Sequence, residues 1–249
     1  MQVLLINPNT SVEITDLVLR AANAVRRPTT TLRAVTGRFG GRYIATRATY
    51  AIAGHAALDA WAEHRAGVDG VVLACFGDPG LAALKELSPV PVIGMVEATL
   101  AAAGTRRFGI VTGGRLWEPM LREMVVLSGK ADQLAGIRTV APSGADIARD
   151  PDGALALLAA ACTEAARVDH AECVILGGAG LAGLTHRLQP LVPVPLIDGV
   201  AAVIAATEQA VDHARTRTPA NTIGHDAALL PKIACHGVSA ALAAAVEHG

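Results

Sequence analysis

The chain has 249 residues, a formal net charge of −1, and 52% hydrophobic residues of which few are aromatic (3% of the chain). So balanced a charge exerts no electrostatic pull on nucleic acid or acidic membranes, and partners of those kinds are not expected. Cores of Ala, Val, Leu and Ile suit buried parallel strands under Ala-rich helices, and the length admits one large α/β domain or two small ones.

In chain order, apolar β-branched runs predict strands near 2–6, 31–35, 70–74, 90–94, 108–112, 137–141, 173–177 and 194–197. Amphipathic patterns between them predict helices over about 11–25, 47–66, 79–88, 96–103, 115–128, 151–168, 180–189 and 199–216. Strands alternating with helices signal βαβ units and parallel sheets. Three helix starts carry caps: Thr10-Ser11-Val12-Glu13 fits a capping box, and Asp78-Pro79 and Asp150-Pro151 each read as an N-cap followed by Pro at the first helical position. Beyond Arg217, residues 218–222 read as a linker and 238–247 as a last helix that resembles nothing earlier, so a surface helix or partly ordered tail is expected there.

The chain repeats itself. Residues 68–81 and 171–184 align at one constant offset as an acidic residue, an apolar run, a small-residue turn and a helix start, with Cys75 facing Gly178. Val90-Pro91-Val92-Ile93 is echoed by Val194-Pro195-Leu196-Ile197, and the opening strand through Thr10 by the segment from Phe108 to Arg115. Self-similarity at this period predicts a duplicated domain. The expected organisation is a first α/β repeat over 1–98, a second over 99–198, and a helix and tail over 199–249, with helix 199–216 and the tail joining the first repeat. The active site is expected in the cleft between the two pseudo-symmetric halves.

Cys75 follows a buried strand and precedes a turn and a helix start, where helix N–H groups would lower a thiol pKa. That setting, at the carboxyl end of a parallel strand, is where α/β proteins place ligands. Cys162, Cys173 and Cys235 lack it and read as packing residues. Backbone N–H groups at Asn9, Thr10, Gly77, Thr112, Gly113, Gly178, Ala179 and Gly180, with Phe76 beside the thiol, make a candidate pocket for a carboxylate or oxyanion. No Gly-x-Gly-x-x-Gly follows the first strand, no Gly-Lys-Ser/Thr loop is present and the cysteines show no zinc spacing, so neither a cofactor nor a metal is expected. His186 lies near the Gly178 turn; Glu97 either faces the cleft or caps a helix; Tyr43 is a candidate lid residue. No export signal is read before the first strand and no apolar run is long enough for a membrane span, so a cytoplasmic location is expected.

With these motifs in hand, the chain resembles the aspartate/glutamate/hydantoin racemase superfamily, and most of all its hydantoin racemase branch. The carriers are Asn7-Pro8-Asn9-Thr10-Ser11, Ala74-Cys75-Phe76-Gly77-Asp78-Pro79-Gly80-Leu81, Pro91-Val92-Ile93-Gly94 with Glu97-Ala98, Arg107-Phe108-Gly109-Ile110-Val111-Thr112, and Ile175-Leu176-Gly177-Gly178-Ala179-Gly180-Leu181. The resemblance implies cofactor-independent proton transfer at an acidic carbon of a small carboxylate, hydantoin or amino-acid-like substrate. In the racemases one cysteine follows each repeated strand and serves one face of that carbon. Cys75 matches the first of these, whereas Gly178 stands where the second is expected. Inversion needs a proton group on each face. A one-thiol site instead suits one-sided protonation, as in a decarboxylase, or covalent attack, as in a hydrolase. A non-catalytic binding protein that keeps the pocket is the remaining alternative. A small-molecule substrate and a homo-oligomer are expected, with specificity set by loops 38–47 and 115–119.

Overall fold

Among the described residues, eight parallel strands form two separate sheets of four, wired identically. The computed structural model describes residues 1–216 and 233–248, so the linker read at 218–222 lies outside the described residues. The first sheet holds β1 (Gln2–Asn7), β2 (Thr31–Thr36), β3 (Gly70–Leu73) and β4 (Val92–Gly94) in the order β2-β1-β3-β4. The second holds β5 (Phe108–Gly113), β6 (Leu134–Val140), β7 (Cys173–Gly177) and β8 (Leu196–Asp198) in the order β6-β5-β7-β8. All neighbours pair in parallel, with Val3 opposite Gly70 in one sheet and Phe108 opposite Cys173 in the other. The sequence duplication is thus a duplication of topology.

The helices are α1 (Val12–Val25), α2 (Arg47–His64), α3 (Leu81–Leu87), α4 (Met95–Ala103), α5 (Trp117–Leu127), α6 (Gly144–Arg149), α7 (Pro151–Arg167), α8 (Thr185–Leu188), α9 (Gly199–Thr216) and α10 (Ala240–His248). Period-two alternation in β1 decides which helices cover which face. Val3 and Leu5 join Val18 of α1, Met95 of α4, Leu121 of α5 and Val203 of α9 in a central core that also takes in Ile110 and Ile175 of the second sheet. Leu4 and Ile6 point the other way, onto Trp61 of α2, Leu84 of α3 and Leu242 of α10. On the outer face of the second sheet, Val111, Val174 and Leu176 meet Ile147 of α6 and Leu158 of α7.

Several expectations need correction. The predicted helix over 180–189 is broken into a 3-10 turn at Ala179–Leu181 and the short α8, because Gly183 adopts a positive φ of 82° between them. α6 was not foreseen: its six residues are too few for a helical period to register. The cap of α1 falls on Ser11, whose hydroxyl accepts from Ile14 N–H and donates to Glu13, one residue later than the Thr10 box. Asp150 does cap α7, through Gly153 N–H. The expected tail helix does form, as α10, and joins the first half by docking on α2 with Leu242 and Ala245 buried, because its Ala-rich face finds an apolar partner there. No helix among the described residues is long and apolar enough to cross a membrane.

Candidate active site

In both sheets the strand order reverses direction at the same point, between β1 and β3 and between β5 and β7. Loops leaving the carboxyl ends of strands at such a switch point diverge and open a crevice. Here the carboxyl ends of β1, β3, β5 and β7 and the turns that follow them converge on one cavity of about 40 Å³ between the halves, contributing Asn9, Cys75, Thr112 and Gly178. Phe76, Gly113, Ala179 and Gly180 also line it, whereas Thr10 and Gly77 do not.

Cys75 sits two residues beyond β3 in a tight turn, its carbonyl accepting from Gly77 N–H at 2.9 Å and Asp78 N–H at 3.1 Å. The turn is held against the second half by aromatic packing. The Phe76 ring lies where a Cβ on Gly177 would come within 2.2 Å of it, and the Trp117 indole covers Gly77 so that a Cβ there would come within 2.6 Å. The thiol is 7% exposed. Burial, reinforced by the nearby Asp78 carboxyl, pushes its pKa up rather than down. The expected lowering fails for a geometric reason: α3 begins only at Leu81, and Asp78 does not cap it.

Asp78 instead turns back with a positive φ of 48° and seats its carboxylate on the N-terminus of α4. It accepts from Val96 N–H at 3.1 Å and Glu97 N–H at 2.9 Å. Gly94 makes this possible, since a Cβ there would lie 2.3 Å from the carboxyl carbon. Burial raises Asp78 to about 7 despite these hydrogen bonds. Glu97 is a capping group, accepting from Gly94 N–H at 3.5 Å and pairing with Lys85.

The hydrogen-bond donors available to a ligand differ from those expected. The Thr10 N–H is taken by the Gly41 carbonyl at 3.1 Å, the Gly77 N–H by Cys75, and the Asn9 N–H by the Asn7 side chain at 3.3 Å. Asn9 contributes its side chain instead. Its amide oxygen is tied up by Asn7 Nδ2 at 2.9 Å and Ser11 N–H at 2.8 Å, which leaves the NH2 for the cavity. On the opposite wall, the N–H groups of Gly178, Ala179 and Gly180 have no acceptor among the described residues. Gly178 has φ 126° and ψ 130°, a conformation favouring glycine, and a Cβ there would meet Leu181 at 3.2 Å and the Thr112 hydroxyl at 3.6 Å. His186 is exposed on α8 and does not line the cavity. Tyr43, read as a candidate lid residue, lines the cavity together with Ile44 and Trp117 from the two loops, 38–47 and 115–119, expected to set specificity. Ile14 of α1 also lines it and was not singled out from the sequence.

Among the described residues no cluster of three His, Cys, Asp or Glu side chains is placed to hold a metal ion. The chemistry on offer is that of one buried thiol, the Tyr43 and Thr112 hydroxyls, one amide NH2 and a row of open backbone donors, an arrangement able to hold an oxyanion beside a proton-transfer group.

The model of the Asp/Glu/hydantoin racemase family matches residues 3–207. The chain belongs to that family. It is 33% identical over 215 residues to a hydantoin racemase of a Pseudomonas species, covering 85% of this chain and 86% of that one. The hydantoin racemase of Paenarthrobacter aurescens is 34% identical over 215 residues, 85% of this chain and 91% of its own. Among solved structures, the allantoin racemase from Klebsiella pneumoniae superimposes with a TM-score of 0.80 at 34% identity, covering 86% of this chain and 89% of that one. This family member is an enzyme of the racemase superfamily with a small-molecule substrate.

Proposed function

We propose that the chain catalyses cofactor-independent proton transfer at the acidic carbon of a hydantoin-like cyclic ureide, with Cys75 as the group that takes and returns the proton. The observation that carries this reading is the pairing of a buried thiol on one wall with the Asn9 NH2 and the Gly178–Gly180 N–H row around the same cavity. Removing a proton next to a carbonyl drives charge onto the carbonyl oxygen, and preorganised donors aimed at that oxygen each contribute about 3–4 kcal/mol. The raised thiol pKa fits the task. A thiolate generated from such a group is a stronger base toward a weakly acidic carbon, although less of it is present at neutral pH. The hydantoin and allantoin racemases to which the chain is similar supply the substrate class.

A second reading, a single-base lyase or a hydrolase using Cys75, is favoured by one specific feature: Gly178 offers no proton group from its own turn. Incubating each enantiomer of benzyl-substituted hydantoin and of allantoin in deuterated buffer separates the readings. Label at the stereocentre of recovered substrate, from one enantiomer or from both, supports the first. Release of carbon dioxide from an arylmalonate, or ring opening with no label in recovered substrate, supports the second.

A further inference from the structure

The wall that Gly178 leaves bare receives a protic side chain from the other repeat. Tyr43 belongs to the loop between β2 and α2, in the first half, yet its hydroxyl rests on the second. Tyr43 Oη accepts from Gly144 N–H at 3.1 Å and donates to the Gly113 carbonyl at 3.4 Å. Gly144 is shaped to this contact: a Cβ there would stand 3.3 Å from the Tyr43 ring and hydroxyl. Five lining side chains carry a proton on oxygen, nitrogen or sulfur: Asn9, Tyr43, Cys75, Thr112 and Trp117. An amide, an indole or an aliphatic hydroxyl does not ionise in water, so Cys75 and Tyr43 are the two able to exchange a proton with a carbon acid.

We propose that the Tyr43 hydroxyl is the second proton-transfer group, replacing the side chain that Gly178 lacks, so that Cys75 and Tyr43 serve opposite faces of one carbon. The proposal rests on the proton-transfer reading above and deepens it from one face to two. In one direction the Cys75 thiolate takes the substrate proton: the C–H bond breaks, an S–H bond forms, and the electron pair moves into an enolate. The enolate carbon then takes the proton of Tyr43 from the other side, forming a new C–H bond and leaving a phenolate. Thiol and phenolate are the states that the opposite enantiomer needs, and exchange with water restores the starting pair. The surroundings of Tyr43 fit a phenolate that forms only in passing. Burial disfavours it, as do Cys75 and Asp146 of α6 by charge, while the Gly144 N–H and the Trp117 side chain favour it.

The test follows deuterium entry and optical purity for both enantiomers of benzyl-substituted hydantoin with wild type, Tyr43→Phe and Cys75→Ser. Wild type is expected to exchange with inversion from either enantiomer. Tyr43→Phe should lose racemisation by at least about 100-fold, keeping exchange with retention for the one enantiomer whose proton faces Cys75, with its melting temperature within a few degrees of wild type. Racemisation by Tyr43→Phe at the wild-type rate overturns the proposal. So does equal loss of exchange from both enantiomers in a folded variant, which makes the residue a binding group. One-sided exchange in the wild type overturns it while leaving the Cys75 reading intact, and a wild type that exchanges neither enantiomer sinks both.

Discussion

A thiol that is buried beside a carboxylate holds its proton, and this governs how each cysteine behaves toward reagents. Alkylation needs thiolate and access. Cys235 is half-exposed, Cys75 is buried with a raised pKa, Cys162 is pushed up to about 12 by burial, and Cys173 is buried at the start of β7. Iodoacetamide is therefore expected to label Cys235 first, followed by Cys75 at a rate that climbs toward alkaline pH, which peptide mapping would read directly. The sequence motif alone suggested that Cys75 would react first. The motif identifies the residue but not its protonation, because the sign of the shift depends on where Asp78 points. Activity is a separate matter: Cys75→Ser should lower turnover by at least about 100-fold, since a serine hydroxyl is far too weak an acid to exchange protons near neutrality. An active, folded serine variant would remove Cys75 from the mechanism. Gly178 offers the matching backbone test. At φ 126° a side chain is strained, so Gly178→Ala is expected to cost about 1–3 kcal/mol in urea denaturation, and Gly178→Cys would have to shift this turn before any new thiol could face the substrate.

Between elements, the two repeats cap equivalent helices with different residues. In the second, Asp198 at the end of β8 accepts from Val200 and Ala201 N–H at 2.9 and 2.8 Å and takes the Thr185 hydroxyl at 2.6 Å, capping the helix that follows it. In the first, the corresponding strand end is Gly94, and Asp78 from the Cys75 turn fills the vacant role at α4. Sequence reading found Asp78 and its capping chemistry but assigned it to the next helix along, since local sequence does not say which N-terminus a carboxylate will reach. The swap ties the Cys75 turn to α4 and leaves a carboxyl whose folded pKa, about 7, exceeds its ordinary 3.8. Native Asp78 thus binds its proton more tightly than the unfolded chain does. The stability this contributes is fully present below pH 3.8 and is lost as pH rises to about 7. Asp78→Asn keeps one acceptor and has no charge to bury. Across that window the wild-type melting temperature should fall relative to the variant's, and a constant difference between them would show that Asp78 ionises normally.

Across the whole molecule, the strands, the doubling and the converging turns were legible in the sequence because parallel strands write continuous apolar runs and a duplication writes them twice. One tie between the halves was expected, helix 199–216 joining the first repeat, and α9 does pack on α1, α4, β3 and β4. The side-chain ties were not legible, because they join residues far apart in sequence; one is the Tyr43 hydroxyl on Gly144. The tightest is Phe76, whose ring occupies the space above Gly177 and also approaches Gly199. Gly177→Ala tests whether this contact sets the geometry of the site. The added methyl would sit 2.2–2.6 Å from three carbons of the ring, so ring and Cys75 turn must retreat together. Overpacking of this kind costs about 1–3 kcal/mol, and displacing the thiol by even a fraction of an ångström should lower proton exchange well beyond what the stability loss explains. Phe76→Leu removes two of those three carbons, and its shorter branches can turn away from the methyl. If the contact works as described, the double variant regains both stability and exchange relative to Gly177→Ala, giving an interaction energy well away from zero in a double-mutant cycle. Simple additivity of the two changes would mean that the halves are held in register elsewhere, and that the Phe76 ring only fills space.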